Sequence, residues 1–205
     1  MPLLVDIRKL TVIDSLVKES SKTLADYIES LTGVESEIEV TGLTFIDPGD
    51  LKNEIGSSEK FNVVINMDSP PYGLFLLTFT PRTARRVSEL MTGKEIEGEE
   101  IDGIHRSALQ ELCNVLTSGF IDGWANALDT SIEISTPEVE RSTGNEISNR
   151  VVSHVHEDSL SIVIDTVMEF DENETDGDSE SDFNFEFYMI PDVGSFVYLI
   201  DRLDI

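Results

Sequence analysis

The stretch Ser107-Ala108-Leu109-Gln110-Glu111-Leu112-Cys113-Asn114, followed after 22 residues by Pro137, is where the reading of this chain begins. Ser107, Glu111 and Asn114 stand at i, i+4 and i+7, so a helix lays them along one stripe. Ala108, Leu112, Val115 and Leu116 are then free to face a core. A carboxylate and an amide side by side on a rigid helix can dock a cation and orient a water molecule. The pattern has an echo, because Ser15 and Glu19 lie 92 residues before Ser107 and Glu111.

Working outward, the echo extends to the order of elements. A helical pattern runs over 12–31, with Leu16, Leu24, Ile28 and Leu31 at helical spacing and Gly33 as its stop. Strand patterns follow over 35–45, 61–67 and 72–79, and Ser69-Pro70-Pro71-Tyr72-Gly73 reads as a hairpin turn. Thr80-Pro81 predicts an N-cap and first helical position for a helix ending near Gly93. The order then returns: a long helix over 100–128, strands over 131–140, 160–170 and 183–190, and a last helix over 193–203.

Each half thus reads as helix, three strands, helix, with 94–100 as the junction. Three strands alone make a weak sheet with one exposed face. The two units are therefore expected to join edge to edge, or through helices packed on one face. The expected fold is α+β and pseudo-two-fold: a six-stranded, mostly antiparallel sheet carrying two long helices. It forms one domain over 1–205, with internal repeats over about 12–93 and 100–203.

The composition narrows the function. Of 205 residues, 41 are Asp or Glu and 14 are Lys or Arg, a net charge of -27. Nucleic acid and anionic membrane surfaces would repel such a chain. Acidic disordered chains are poor in hydrophobic residues, whereas 40% of this one is hydrophobic. The acid is spread along the chain, as in a folded protein from a very salty cytoplasm, where the Debye length shrinks to about 3 Å at molar salt. The expectation is a haloarchaeal source and a soluble, cytoplasmic protein, since the N-terminus lacks an apolar leader core and no 18-residue apolar run occurs.

The pattern Ser107-x3-Glu111-x2-Asn114-x22-Pro137 resembles, position for position, the signature of the CheC/CheX/FliY phosphatases of chemotaxis. The resemblance implies a CheC-like phosphatase acting on a phosphorylated CheY-type receiver, whose aspartyl phosphate carries its own Mg2+ and a Lys. It implies that Asn114 holds a water in line for attack and that Glu111 pairs with the receiver Lys. Ser107 would support the interface and Pro137 would shape a strand end. No cofactor is expected on this chain. An acyl phosphate is already reactive, so placing a water in line is most of the task.

The alternative is a non-catalytic chemotaxis adaptor that binds the deamidase CheD, the phosphorylated receiver, or both. A flagellar-switch role of the FliY kind is disfavoured, because no further C-terminal domain is expected after Ile205. The first-half site, Ser15, Glu19 and Lys22, is expected to be inactive: Lys replaces the amide, and Phe45 stands where Pro is required. An ordinary i, i+3 ion pair accounts for Glu19 and Lys22 equally well.

Other candidates weigh less. Cys113, the single cysteine, reads as a small buried thiol rather than a nucleophile. His154 and His156 would share a face if their segment were a strand, and His105 precedes the motif, but no third metal ligand is specified, so no metal site is expected. Arg82, Arg85 and Arg86 form a small basic cluster that reads as a solvated helix surface. The acidic run from Glu169 to Asp182 misses the calcium-loop template, because Phe183 falls where a bidentate Glu is needed, and reads as a solvated hairpin loop.

Overall fold

The structure, a computed structural model, describes residues 11, 15, 18, 25–31, 33, 35–98, 100, 101, 103–127, 129–154, 161–170 and 183–201. The first helix, α1, is continuous over 25–31 in the described residues, and Gly33 closes it at φ +71° with its N–H donating to Glu29 O at 2.8 Å. The strands are β1 (Ser36–Ile46), β2 (Lys60–Met67), β3 (Gly73–Phe79), β4 (Glu138–Ser142), β5 (Ser161–Phe170) and β6 (Phe183–Pro191). The remaining helices are α2 (Leu51–Ile55), α3 (Pro81–Thr92), α4 (Gly103–Ala127), α5 (Gly144–His154) and α6 (Val193–Asp201).

All six strands form one antiparallel sheet in the order β1-β5-β6-β3-β2-β4. Exchanging β1 with β4, β2 with β5 and β3 with β6 returns the same order, so the sheet carries the expected pseudo-two-fold. The pairing within it differs from two three-stranded units placed side by side. β1 pairs with β5 of the other half, and β4 pairs with β2 of the first. The opening strand of each half is thus exchanged, and neither half holds a three-stranded sheet of its own.

The first face of the sheet is covered by helices whose apolar positions meet Phe61, Val63, Ile65, Phe75, Leu77, Phe185 and Phe187. α4 supplies Leu109, Leu112, Cys113, Leu116, Phe120 and Ile121, while α1, α3 and α6 add Ile28, Val87 and Phe196. Phe120 stacks on Phe187 with ring centroids 4.6 Å apart, and Phe187 meets Phe75 at 5.2 Å. α3 begins as expected: Thr80 Oγ1 accepts from Thr83 N–H at 3.1 Å, Pro81 follows, and Gly93 ends the helix at φ +64°.

The second face is also covered, which the expectation of two long helices on one side omits. Leu51 and Ile55 of α2, with Ile147 and Val151 of α5, pack on Val64, Leu74, Leu76, Val163, Tyr188 and Ile190. The central strands β2 and β3 are consequently buried on both faces and read as nearly continuous apolar runs. α2 and α5 touch through glycines. Gly144 N–H donates to Gly56 O at 3.0 Å, and a Cβ on Gly144 would stand 2.2 Å from that oxygen.

Two further expectations need correction, and two others fall outside the described residues. The strand expected over 131–140 is formed only from Glu138 to Ser142, with an isolated bridge between Ile134 and Met67. The segment of His154 is helical: His154 is the last residue of α5, so no strand face aligns it with His156, which lies outside the described residues. Most of the acidic run, residues 171–182, also lies outside them, as do Glu19 and Lys22.

Candidate functional site

α4 presents the motif because its two sides differ. Leu109, Leu112, Cys113 and Leu116 are buried in the sheet-facing core, leaving Ser107 and Glu111 exposed and Asn114 half-buried. Burial pushes the Cys113 thiol well above its ordinary range, so this neighbour of Asn114 is a core residue and not a thiolate nucleophile. Ser107 Oγ donates back to Gly103 O at 2.9 Å, a bond internal to the helix. Among the described residues, neither the Glu111 carboxylate nor the Asn114 amide has a side-chain hydrogen bond or ion pair, so both remain available to a partner.

Opposite this face runs the segment preceding β4. Pro137 has no N–H to give the ladder, and it is buried. From the Val64·Glu138 pair to the Met67·Ile134 bridge, β2 advances three residues while its partner advances four, so the ladder slips by one around Ser135 and Thr136. The slipped segment is still held firmly. Ser135 N–H donates to Asn66 O at 2.9 Å, and Asn66 N–H donates to Ser135 Oγ at 2.9 Å. From the helix, Gln110 Nε2 donates to Pro137 O at 3.1 Å.

Between helix and segment lies a cleft of about 360 Å3, bounded on one side by Ser107, Gln110, Glu111 and Asn114 and on the other by residues 134–137. The four motif residues expected to act together in the second half, Ser107, Glu111, Asn114 and Pro137, therefore converge on one cavity. Gln110 was not singled out by the sequence reading, although it shares the helical face, three residues after Ser107 and four before Asn114. Its role here is to clamp the helix to the Pro137 carbonyl. The lining holds one carboxylate, two amides and several hydroxyls, and neither Lys nor Arg.

The first-half counterpart is only partly described. Ser15 Oγ donates to Thr11 O at 2.9 Å, the same bond to the carbonyl four residues back that Ser107 makes. Phe45 lies within β1, opposite Ile162, and is 37% exposed. β1 also slips by one residue, between Val40 and Gly42. His105, just before the motif, is buried, and its Nε2 lies 3.0 Å from Lys94 O, tying the start of α4 to the end of α3. Arg85 staples the same connection through Glu89 and the carbonyls of Ile96 and Gly98. Two members of the basic cluster are exposed, Arg82 and Arg86, and Arg85 is half-buried.

Comparison with known proteins identifies the family. The family model described as the CheC-like family matches residues 104–141, the span of α4 and the segment that faces it. CheC1 of Halobacterium salinarum, a candidate CheY-P phosphatase, is 35% identical over 204 residues, covering 99% of this chain and all of that protein. The chain belongs to the CheC-like family. Among solved structures, FliY of Thermotoga maritima superposes with a TM-score of 0.78 at 18% identity, covering 98% of each chain. The FliM middle domain of H. pylori follows with a TM-score of 0.71 at 17% identity, covering 97% of this chain and 99% of that one. At such identities these two show the CheC-like fold alone. Among the described residues, no helix is long and apolar enough to cross a membrane.

Proposed function

We propose that this CheC-like chain is a phosphatase for the aspartyl phosphate of a CheY-type response regulator in chemotaxis, acting in the cytoplasm through one site in its second half. The observation that carries the reading is the composition of the cleft: a carboxylate and an amide without side-chain partners among the described residues, and no cation in the lining. A phosphoryl group bound alone there would meet Glu111 and no compensating charge, which is unfavourable. A receiver domain that brings its own Mg2+ and Lys reverses the balance, because Glu111 then has a cation to pair with.

In this reading Asn114 acts on the water. Its neutral amide both accepts from and donates to hydrogen-bond partners, so it can hold a water in line with the P–O bond without repelling the phosphoryl oxygens. The water attacks phosphorus, the bond to the receiver aspartate breaks, and inorganic phosphate and the free carboxylate leave. Glu111 sets the register by gripping the receiver Lys. Ser107 shapes the rim, and Pro137 with Gln110 sets the width of the cleft.

The test is phosphate release from the phosphorylated receiver of the same organism, with Mg2+, at high salt. Asn114→Ala should lower the rate by about 100-fold or more, the usual scale for losing a group that orients the reacting atoms. Hydrolysis by Asn114→Ala at the wild-type rate would sink the mechanism. If the wild-type chain binds the receiver or CheD and leaves the phosphoryl lifetime unchanged, the chain is an adaptor.

A further inference from the structure

The tip of the β2–β3 hairpin carries Tyr72, 47% exposed and at φ +48°, a backbone region that bulky side chains seldom occupy. It is held there from several sides. Tyr72 N–H donates to Ser69 O at 2.8 Å, and Asp192 N–H donates to Tyr72 O at 3.1 Å. The next residue, Gly73, passes so close to β6 that a Cβ would stand 2.1 Å from Ile190 O. The turn therefore leaves a large aromatic residue about half exposed and outside both buried core clusters, an arrangement that invites a role beyond the fold.

The same tip is tied to the far wall of the cleft. Ser69 Oγ accepts from Glu133 N–H at 2.7 Å and donates to Ser131 O at 3.4 Å, while Asp68 N–H donates to Glu133 O at 2.8 Å. Met67 then bridges to Ile134, which lines the cleft. We infer that Tyr72 is a second docking contact for the phosphorylated receiver, packing its ring on the receiver surface beside the phosphorylation site. The inference rests on the phosphatase reading for the identity of the partner.

Reach supports it. Ser131 and Pro137 are six residue steps apart, about 20 Å at most along extended chain. A stable partner buries about 800 Å2 on each side, a patch roughly 30 Å across. One receiver footprint is therefore wide enough to take in both the cleft and the tip, provided it is not centred on Asn114. Exposed tyrosines are also among the side chains on which interface energy concentrates. The counterpart of this hairpin in the second half offers a contrast: the connection between β5 and β6, 171–182, has twelve residues, seven of them acidic and none aromatic.

The test measures binding to a receiver trapped with beryllofluoride and Mg2+, alongside steady-state hydrolysis of the phosphorylated receiver. Tyr72→Gly removes the ring and suits the positive φ, so its thermal stability should match or exceed wild type while its Kd and KM rise about tenfold at unchanged kcat. Tyr72→Phe should restore wild-type binding, and Asn114→Ala should still bind within a few-fold. Equal binding by wild type and Tyr72→Gly overturns the inference, as does a wild-type chain that does not bind the trapped receiver. Binding that depends on Tyr72 in a wild-type chain without hydrolysis upholds the docking role and removes only the phosphatase reading.

Discussion

Ser15 and Ser107 make the same hydrogen bond in the two halves, each hydroxyl to the carbonyl four residues back at 2.9 Å. Four residues later both halves carry Glu, and three beyond that they part, with Lys22 in the first and Asn114 in the second. The strands facing these helices part as well. β1 runs through its one-residue slip and keeps pairing, whereas its counterpart stops at Pro137 and leaves 134–137 as the wall of a cleft. On the single-site proposal, the first copy gives up the chemistry and still supplies strands to the shared sheet. The comparison therefore separates what the fold needs from what the site needs.

The sharpest way to break it is to separate the halves. Because, among the described residues, β1 pairs only with β5, and β4 only with β2, each half alone retains a single hairpin, and isolated hairpins are marginal in water. Fragments 1–98 and 99–205 are expected to be unfolded when expressed separately and to regain structure on mixing, as read by circular dichroism and dispersion of NMR amide signals. Cooperative unfolding of either fragment alone would show that the exchange of strands is dispensable.

A second experiment compares the two glutamates. Glu111→Ala should raise the KM for the phosphorylated receiver by about 10- to 100-fold, since a close charge pair at an interface is lost. Glu19→Ala and Lys22→Ala should change kcat/KM less than twofold. A comparable loss from Glu19→Ala would mean that both halves dock receivers, and the single-site reading would fall.

Much of this contrast was legible in the residues, and the reasons differ by element. Thr80-Pro81 and Gly93 delimit α3 because caps are local chemistry. The motif positions converge because their spacing is a property of one helix. The exchange of strands was not legible, since period-two patterns say that a strand exists without naming its partner. α2 has five residues, too few for a helical period to emerge. α5 did carry a readable signal that went unused: Thr143-Gly144-Asn145-Glu146 is a capping box. Glu146 Oε2 accepts from Thr143 N–H at 2.8 Å, and this bond, with one from the Thr143 hydroxyl, holds the Glu146 carboxyl below its ordinary range. The strand expected over 131–140 failed at Pro137, the residue already singled out for the site.

Charge is divided unequally between the halves, with 16 acidic against 10 basic residues in 1–98 and 25 against 4 in 99–205. Lowering the salt from molar to about 0.1 M lengthens the Debye distance from about 3 to 10 Å and unmasks repulsion chiefly in the second half. The melting temperature should fall by roughly 5–10 °C, on the scale of a few kcal/mol for a chain this size. Because the sheet is shared, unfolding should remain one transition at every salt concentration. Two separated transitions, the second half melting first, would show that the halves are less interlocked than their pairing.

The smallest expected effect tests what Pro137 does. In the first half the equivalent slip is tolerated within a continuous strand, so the missing N–H of Pro137 is the simplest cause of the break in the second. Pro137→Ala supplies a donor and restores freedom to the unfolded chain, which costs about 0.4–1 kcal/mol of stability. With the donor present, pairing can extend from Glu138 toward Ile134, drawing the wall against β2 and away from Gln110, whose amide now grips the Pro137 carbonyl. Amide exchange over 134–138 should therefore slow while phosphate release falls about three- to fivefold, the rough consequence of slightly misplacing an orienting wall. If exchange there is unchanged and activity falls just as far, Pro137 acts by its own contact with the partner and the strand break has another origin.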